Sequence, residues 1–174
     1  MYENISINEP KWKSWIIQTT TPLFTPEQCR EIIEAGRRQP PQPAQVGMGR
    51  PGGGVKTETR TTTISWIPFK EMAPMYMHLN SFIQKANLNH FGFDDIRVTE
   101  QAQFTEYPEG GFYDWHMDCD VNMQHEPPVR KISMTLLLND PSEFEGGDLE
   151  LMAPGKFAEL KQGHAIVFAS FLNH

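Results

Sequence analysis

The stretch Tyr107-Pro108-Glu109-Gly110-Gly111-Phe112-Tyr113-Asp114-Trp115-His116-Met117-Asp118 places a histidine and a carboxylate two residues apart, just after a Pro/Gly turn. Residues 112–118 read as a strand entered from that turn. Side chains alternate across a strand, so residues i and i+2 share a face. His116 and Asp118 can therefore aim an imidazole and a carboxylate at one point. The same alternation sends Trp115, Met117 and Cys119 to the other face, into packing. A His-x-Asp pair alone is a weak signal, and a third ligand must come from elsewhere in the chain. Two histidines and one carboxylate on one face of an octahedron leave three positions open, the donor set that suits Fe(II) oxygenases.

Working outward, further strand-like runs cover residues 98–107, 131–139, 148–152 and 164–171. Turn signals at Pro127-Pro128, Asp140-Pro141-Ser142, Gly146-Gly147 and Gln162-Gly163 lie between them. Upstream, residues 15–24 read as a strand running into a helix. Thr25-Pro26-Glu27-Gln28 opens that helix with a cap, a proline at the first position and a capping box. Residues 39–58 form a Pro/Gly-rich loop, a candidate lid over a substrate groove. Residues 61–67 are β-rich, and a second helix is expected over 69–86, with Pro74 shaping its first part. Helices first and strands later predict an α+β fold, one domain over 1–174, with N-terminal helices packed on one face of a β-barrel.

Composition agrees with a globular chain. Of 174 residues, 39% are apolar and 21% charged, and the net charge of −7 argues against a broad nucleic-acid surface. No apolar run approaches the ~18–20 residues that span a bilayer, and the first fifteen residues, with Glu3, Glu9, Lys11 and Lys13, lack a secretory core. The expectation is a soluble, intracellular (cytoplasmic) protein, with Cys29 and Cys119 as reduced thiols.

The 107–118 stretch resembles the YxxGGxYxxHxD segment of prolyl 4-hydroxylase-type 2-oxoglutarate/Fe(II) dioxygenases. Arg130-Lys131-Ile132-Ser133 and Glu145-Gly146-Gly147-Asp148-Leu149 resemble the group's next core strands. Gly163-His164-Ala165-Ile166-Val167-Phe168-Ala169-Ser170-Phe171-Leu172-Asn173-His174 resembles its distal-histidine strand, and Arg60 and Trp66 fit an upstream strand. The resemblance spans roughly residues 14–174. It implies a double-stranded β-helix, that is, a jelly-roll or cupin-like barrel, with His116, Asp118 and His174 as iron ligands. Tyr107 would meet a 2-oxoglutarate carboxylate, Tyr113 and Thr105 would line the co-substrate pocket, and Arg60 and Trp66 would stand on the substrate side. Fe(II), 2-oxoglutarate and O2 are the implied cofactors, with ascorbate as reductant. The implied reaction hydroxylates an unactivated C–H and releases succinate and CO2, with Phe112, Ile132, Val167 and Phe168 keeping the site dry.

The same resemblance leads one to expect an Arg or Lys, on a strand following His174, as clamp for the far carboxylate of 2-oxoglutarate. The last core strand is then expected to lie beyond the sequence shown, and Lys131 is a fallback clamp. A residue in a peptide or protein is the leading substrate, ahead of a free amino acid or other small molecule, with a nucleic-acid demethylase third. A non-catalytic metal-binding β-barrel is the reading from a different class. His78 and His90 have structural or exposed roles as their default, and His164 an exposed one. Asp120 is a candidate to fix a ligand, and His125 a candidate substrate contact.

Overall fold

Helix α1 (Pro26–Arg37) begins where the capping signal places it. Thr25 Oγ1 accepts from Gln28 N at 3.3 Å, and Gln28 Oε1 accepts from Thr25 N at 2.9 Å. These reciprocal bonds satisfy two donors that a helix start otherwise leaves open. Helix α2 (Ala73–Ala86) starts four residues later than expected, with Pro74 in its first turn. A proline has no N–H to donate and its ring clashes with the carbonyl four residues back, so Pro74 fits only the first turn and the helix cannot begin at 69. A π-helical turn, Asn87–Phe91, extends α2 until Gly92 ends it at φ 70°.

The computed structural model describes residues 14–46, 53–119, 129–152 and 160–174. The strands are β1 (Ile16–Gln18), β2 (Gln42–Pro43), β3 (Thr63–Ile67), β4 (Ala102–Glu106), β5 (Ile132–Leu136) and β6 (Ala165–Ala169). They form two antiparallel three-stranded sheets, ordered β1-β6-β5 and β2-β3-β4. Among the described residues the sheets do not close into a barrel. The loop expected over 39–58 contains β2 and a bridge between Val46 and Gly54, so its described part is tied to the second sheet. The expectations placed on Asp120, His125 and the first thirteen residues fall outside the described residues.

Alternation along the strands separates helix-facing from site-facing side chains. Ile132 and Met134 of β5 pack with Val167 of β6 against Ile83 and Ala86 of α2. Ile67 of β3 and Phe104 of β4 join Cys29, Ile32, Met75, Tyr76 and Leu79 in the core between sheet and helices. Gly36 lets α1 approach β4, because a Cβ there would lie 2.3 Å from the Phe104 ring. Ser65 Oγ donates to the Gly36 carbonyl at 2.7 Å across the same contact. The helices thus cover one side, and the opposite faces of the strands, carrying Ser133, Phe168, Gln103 and Thr105, remain for other work.

Two expected strands are absent. Residues 112–118 are extended, but their hydrogen bonds switch partner midway. Thr61 N donates to Phe112 O and Asp114 N to Thr59 O, whereas His116 pairs with His174 and Asp118 N donates to Ser170 O. No single neighbour runs alongside long enough to make a ladder. Residues 148–152 hold only a bridge at Leu151, because Met152 turns the chain at φ 67°.

Gly163 anchors the entry to β6. Its φ is +77°, a Cβ would lie 2.0 Å from the Phe24 carbonyl oxygen, and its own carbonyl accepts from Leu23 N at 2.7 Å. Backbone of a different segment occupies the space, so relief requires moving Phe24 and the start of α1. Gly163→Ala is expected to destabilise the protein by about 2–4 kcal/mol; equilibrium urea unfolding with a loss below ~0.5 kcal/mol would contradict this packing.

Candidate metal centre

The backbone brings the ligands together before any side chain acts. His116 N donates to His174 O and His174 N donates to His116 O, both at 2.9 Å. Asp118 N and Cys119 N both donate to Ser170 O, at 3.0 and 3.1 Å. The chain from 116 to 119 is thereby fastened alongside 170–174.

His116, Asp118 and His174 form one cluster, each offering a ligand atom within 4.8 Å of the others. His116 Nε2 lies 3.6 Å from Asp118 Oδ1, and His174 Nε2 lies 3.9 Å from Asp118 Oδ2. Each histidine ties down its other nitrogen in the same way. His116 Nδ1 bonds the Asp114 carbonyl at 2.9 Å, and His174 Nδ1 bonds the Leu172 carbonyl at 3.1 Å. A carbonyl only accepts, so Nδ1 carries the proton in both rings and Nε2 keeps its lone pair for a cation. Burial, with the nearby His116 adding to it, lowers the His174 pKa and keeps that ring neutral. Burial by itself would raise the Asp118 carboxyl. The side chains of His116 and Ser133 and the charge of Arg130 overcome it and hold Asp118 well below the usual carboxylate range. Two imidazoles with their Nε2 atoms turned inward and an ionised carboxylate, converging on one point, fit a divalent transition metal.

Aromatic stacking supports the rings. Tyr113 stacks on His116 at 3.5 Å between centroids, His116 meets His174 at 4.1 Å, and Phe168 packs on His174 at 4.6 Å. On a regular strand Tyr113 and His116, three apart, would face opposite ways. They meet because the chain turns in a bend at Trp115 between them, where Asp114 Oδ1 accepts from Trp115 N at 2.8 Å. The turn also leaves Trp115 and Met117 exposed, although alternation placed them in packing.

Arg60 lies over the other face of Tyr113, its guanidinium carbon 4.3 Å from the ring centroid. It is 7% exposed, and its hydrogen-bond acceptors, Thr62 Oγ1 at 2.8 Å and Gln103 Oε1 at 2.9 Å, are neutral. Burial raises the Tyr113 phenol, and the Arg60 charge partly offsets the rise. Thr105 reaches this group through Gln103 Oε1, at 3.4 Å. Trp66 is the cross-strand partner of Gln103 and stands at the edge of the group.

Some expectations are redirected. Lys131 Nζ donates to the Asp94 carbonyl at 2.7 Å, away from the cluster, so the fallback clamp lacks the geometry it needs. Its neighbour Arg130 faces the site instead, with Nη1 3.5 Å from Asp118 Oδ1 and Nη2 paired to Glu100. Of the four apolar residues expected to wall the site, Phe168 touches His174. Val167 and Ile132 face α2, and Phe112 is exposed. His164 is half-buried, its Nδ1 3.0 Å from the Thr19 carbonyl. His78 stacks edge-on against Phe24, a packing role. Ser133 and Ser170, which carried no assignment, form a hydroxyl chain to Asp118. The signal available for them was polarity inside otherwise apolar strands.

Comparison with known proteins agrees with this centre. Residues 102–174 match the 2OG-Fe(II) oxygenase superfamily. A PKHD-type hydroxylase of Prochlorococcus marinus is 32% identical over 80 residues, covering 45% of this chain and 35% of that protein. One from Gluconacetobacter diazotrophicus is 38% identical over 61 residues, covering 33% and 27%. The matched stretches span about a third of the length of these relatives. The crystal structure of a Pseudomonas putida prolyl-4-hydroxylase superposes with a TM-score of 0.61 at 20% identity, covering 92% of this chain and 84% of that one. The matching segment, 102–174, holds the whole ligand cluster. The chain as a whole is similar to prolyl 4-hydroxylase in its fold. Among the described residues no helix is long and apolar enough to cross a membrane.

The lowered His174 pKa fixes a sign. The unfolded chain takes up the proton near the ordinary value of 6.5 before the folded chain does. Metal-free protein should therefore lose stability as pH falls below 6.5. His174→Gln should flatten that part of the profile. Parallel urea-unfolding profiles for parent and variant would contradict it.

Proposed function

We propose that this chain is an Fe(II)- and 2-oxoglutarate-dependent dioxygenase that hydroxylates an unactivated C–H bond in a prolyl or other residue of a peptide or protein. The observation that carries this reading is the convergence of the two Nε2 atoms and the Asp118 carboxylate, with both Nδ1 atoms tied to carbonyls. The superfamily match of residues 102–174 and the PKHD-type relatives support it. We read the two sheets as facing halves of a double-stranded β-helix, forming with the helices one domain.

When bound, iron together with 2-oxoglutarate and O2 would supply the oxidising chemistry, with succinate and CO2 released and ascorbate as reductant. The protein's own work is positioning and electrostatics. His116, Asp118 and His174 present their donors on one side and leave the other open to co-substrate and O2. Tyr107 offers a phenol hydrogen to a 2-oxoglutarate carboxylate. Tyr113 packs against His116 and holds that ring at its angle. Thr105 lines the same region, and Arg60 and Trp66 face the substrate side. The exposed side chains of Tyr107, Phe112 and Trp115 favour an extended, partly apolar partner such as a peptide.

Purified protein supplied with Fe(II), ascorbate and 2-oxoglutarate is expected to form succinate, faster with a cognate peptide than with free amino acids. Asp118→Ala should abolish turnover and weaken iron binding, and succinate formation by the variant at the parental rate would refute the assignment. Tyr107→Phe should raise the apparent KM for 2-oxoglutarate by the equivalent of ~1.5–3 kcal/mol, one hydrogen bond to a charged group. An unchanged KM would remove Tyr107 from the co-substrate site.

A further inference from the structure

Asp118 is held by more than its backbone. Its Oδ2 accepts from Ser133 Oγ at 2.6 Å, within the short range of hydroxyl-to-carboxylate bonds. Ser133 Oγ in turn lies 2.8 Å from Ser170 Oγ. The chemistry fixes the direction of this chain. Ser133 has one hydroxyl hydrogen and spends it on the carboxylate, so the hydrogen between the serines comes from Ser170. The order is Ser170 Oγ–H to Ser133 Oγ–H to Asp118 Oδ2, with each bond polarising the next.

Both serines sit where a serine is costly. Ser170 is fully buried and Ser133 is 8% exposed. Ser133 stands on β5 between Ile132 and Met134, and its cross-strand partner is Phe168. A hydroxyl there needs a partner, and the carboxylate provides one. Ser170 acts through its backbone as well. Its carbonyl accepts from Asp118 N and Cys119 N, and its N–H donates to Lys131 O at 3.0 Å. The segments carrying Asp118, Ser133 and His174 are therefore linked through this one residue.

We propose that Ser133 and Ser170 are positioning residues that set the rotation of the Asp118 carboxylate, reserving Oδ2 for the serine chain and Oδ1, 3.6 Å from His116 Nε2, as the single metal donor. The inference rests on the reading of His116, Asp118 and His174 as metal ligands. Without the Ser133 hydroxyl Oδ2 loses this donor while the Arg130 contact on Oδ1 remains, and more of the carboxylate's ordering falls to the cation on binding.

The test is anaerobic titration of metal-free protein with Co(II) alone, followed by its ligand-field absorption, which needs no turnover. Ser133→Ala is expected to weaken binding about 10–100-fold and to alter the band shape, while Ser133→Thr, which keeps the hydroxyl, restores both. Ser65→Ala removes an equally buried serine bonded to the Gly36 carbonyl and should leave Co(II) affinity unchanged. Ser170→Ala, which removes only the outer donor, should weaken binding less than Ser133→Ala does. It also serves as the test if Ser133→Ala fails to fold, any measurable weakening then counting in favour. Affinity and spectrum unchanged in the foldable chain variant, or an equal loss in Ser65→Ala, would overturn the proposal. A parent protein that takes up no Co(II) would instead overturn the metal-site reading itself.

Discussion

The reciprocal backbone pair between His116 and His174 is the constraint on which the centre depends. These residues are far apart in sequence, and closing so long a loop costs on the order of 3–4 kcal/mol of chain entropy. Two hydrogen bonds between the ligand residues themselves cannot offset that cost. The closure is maintained by the sheet behind it, where β6 runs antiparallel to both β1 and β5 with Val167 and Phe168 buried on its two faces. Hydrophobic burial holds the strand, the strand delivers Ser170 and His174, and the backbone pair then sets the ligand spacing to within a few ångströms.

Charge is distributed around the centre so that the anion is fixed and the His174 imidazole stays neutral. Asp118 is ionised against the opposition of burial because hydrogen-bond donors and the Arg130 cation surround it. His174 is driven toward neutrality chiefly by burial. A protonated imidazole would have no lone pair to give, and a protonated carboxyl would lose its charge. The environment pushes each group toward the state in which it can bind a cation. Arg60 contributes differently. Shielded from water and satisfied by neutral acceptors, it holds the outer face of Tyr113, whose inner face holds His116.

How much of this was legible in the sequence depends on the range of the physics involved. The capping box at Thr25–Gln28 is local and needs only four residues, so it was readable. The pairing of His116 with Asp118 was readable too, but the regular strand invoked for it is not there. A bend at Trp115 and a change of hydrogen-bond partner produce the convergence instead, and the change of partner depends on neighbours brought in by the fold. The same bend explains why Trp115 and Met117 are exposed and why Tyr113 reaches His116. Lys131 and Arg130 illustrate the sensitivity of a charge to phase along an extended segment. One position decides whether the group faces Asp118 or the Asp94 carbonyl, and composition does not carry that phase.

The serine chain shows why a polar residue inside an apolar strand repays attention. A valine or alanine at 133 would suit β5 and remove a desolvation cost, as would an alanine at 170. Their hydroxyls are satisfied only because Asp118 is ionised and oriented to accept, and Asp118 is oriented because they donate. The arrangement is mutual, so it cannot be assigned to fold stability alone or to the centre alone. The backbone of Ser170 closes the argument: the residue that begins the hydroxyl chain is also the one whose carbonyl holds the main chain at Asp118 and Cys119. Ser170, four positions before the distal histidine, thus contributes both to the orientation of the carboxylate and to the closure of the loop.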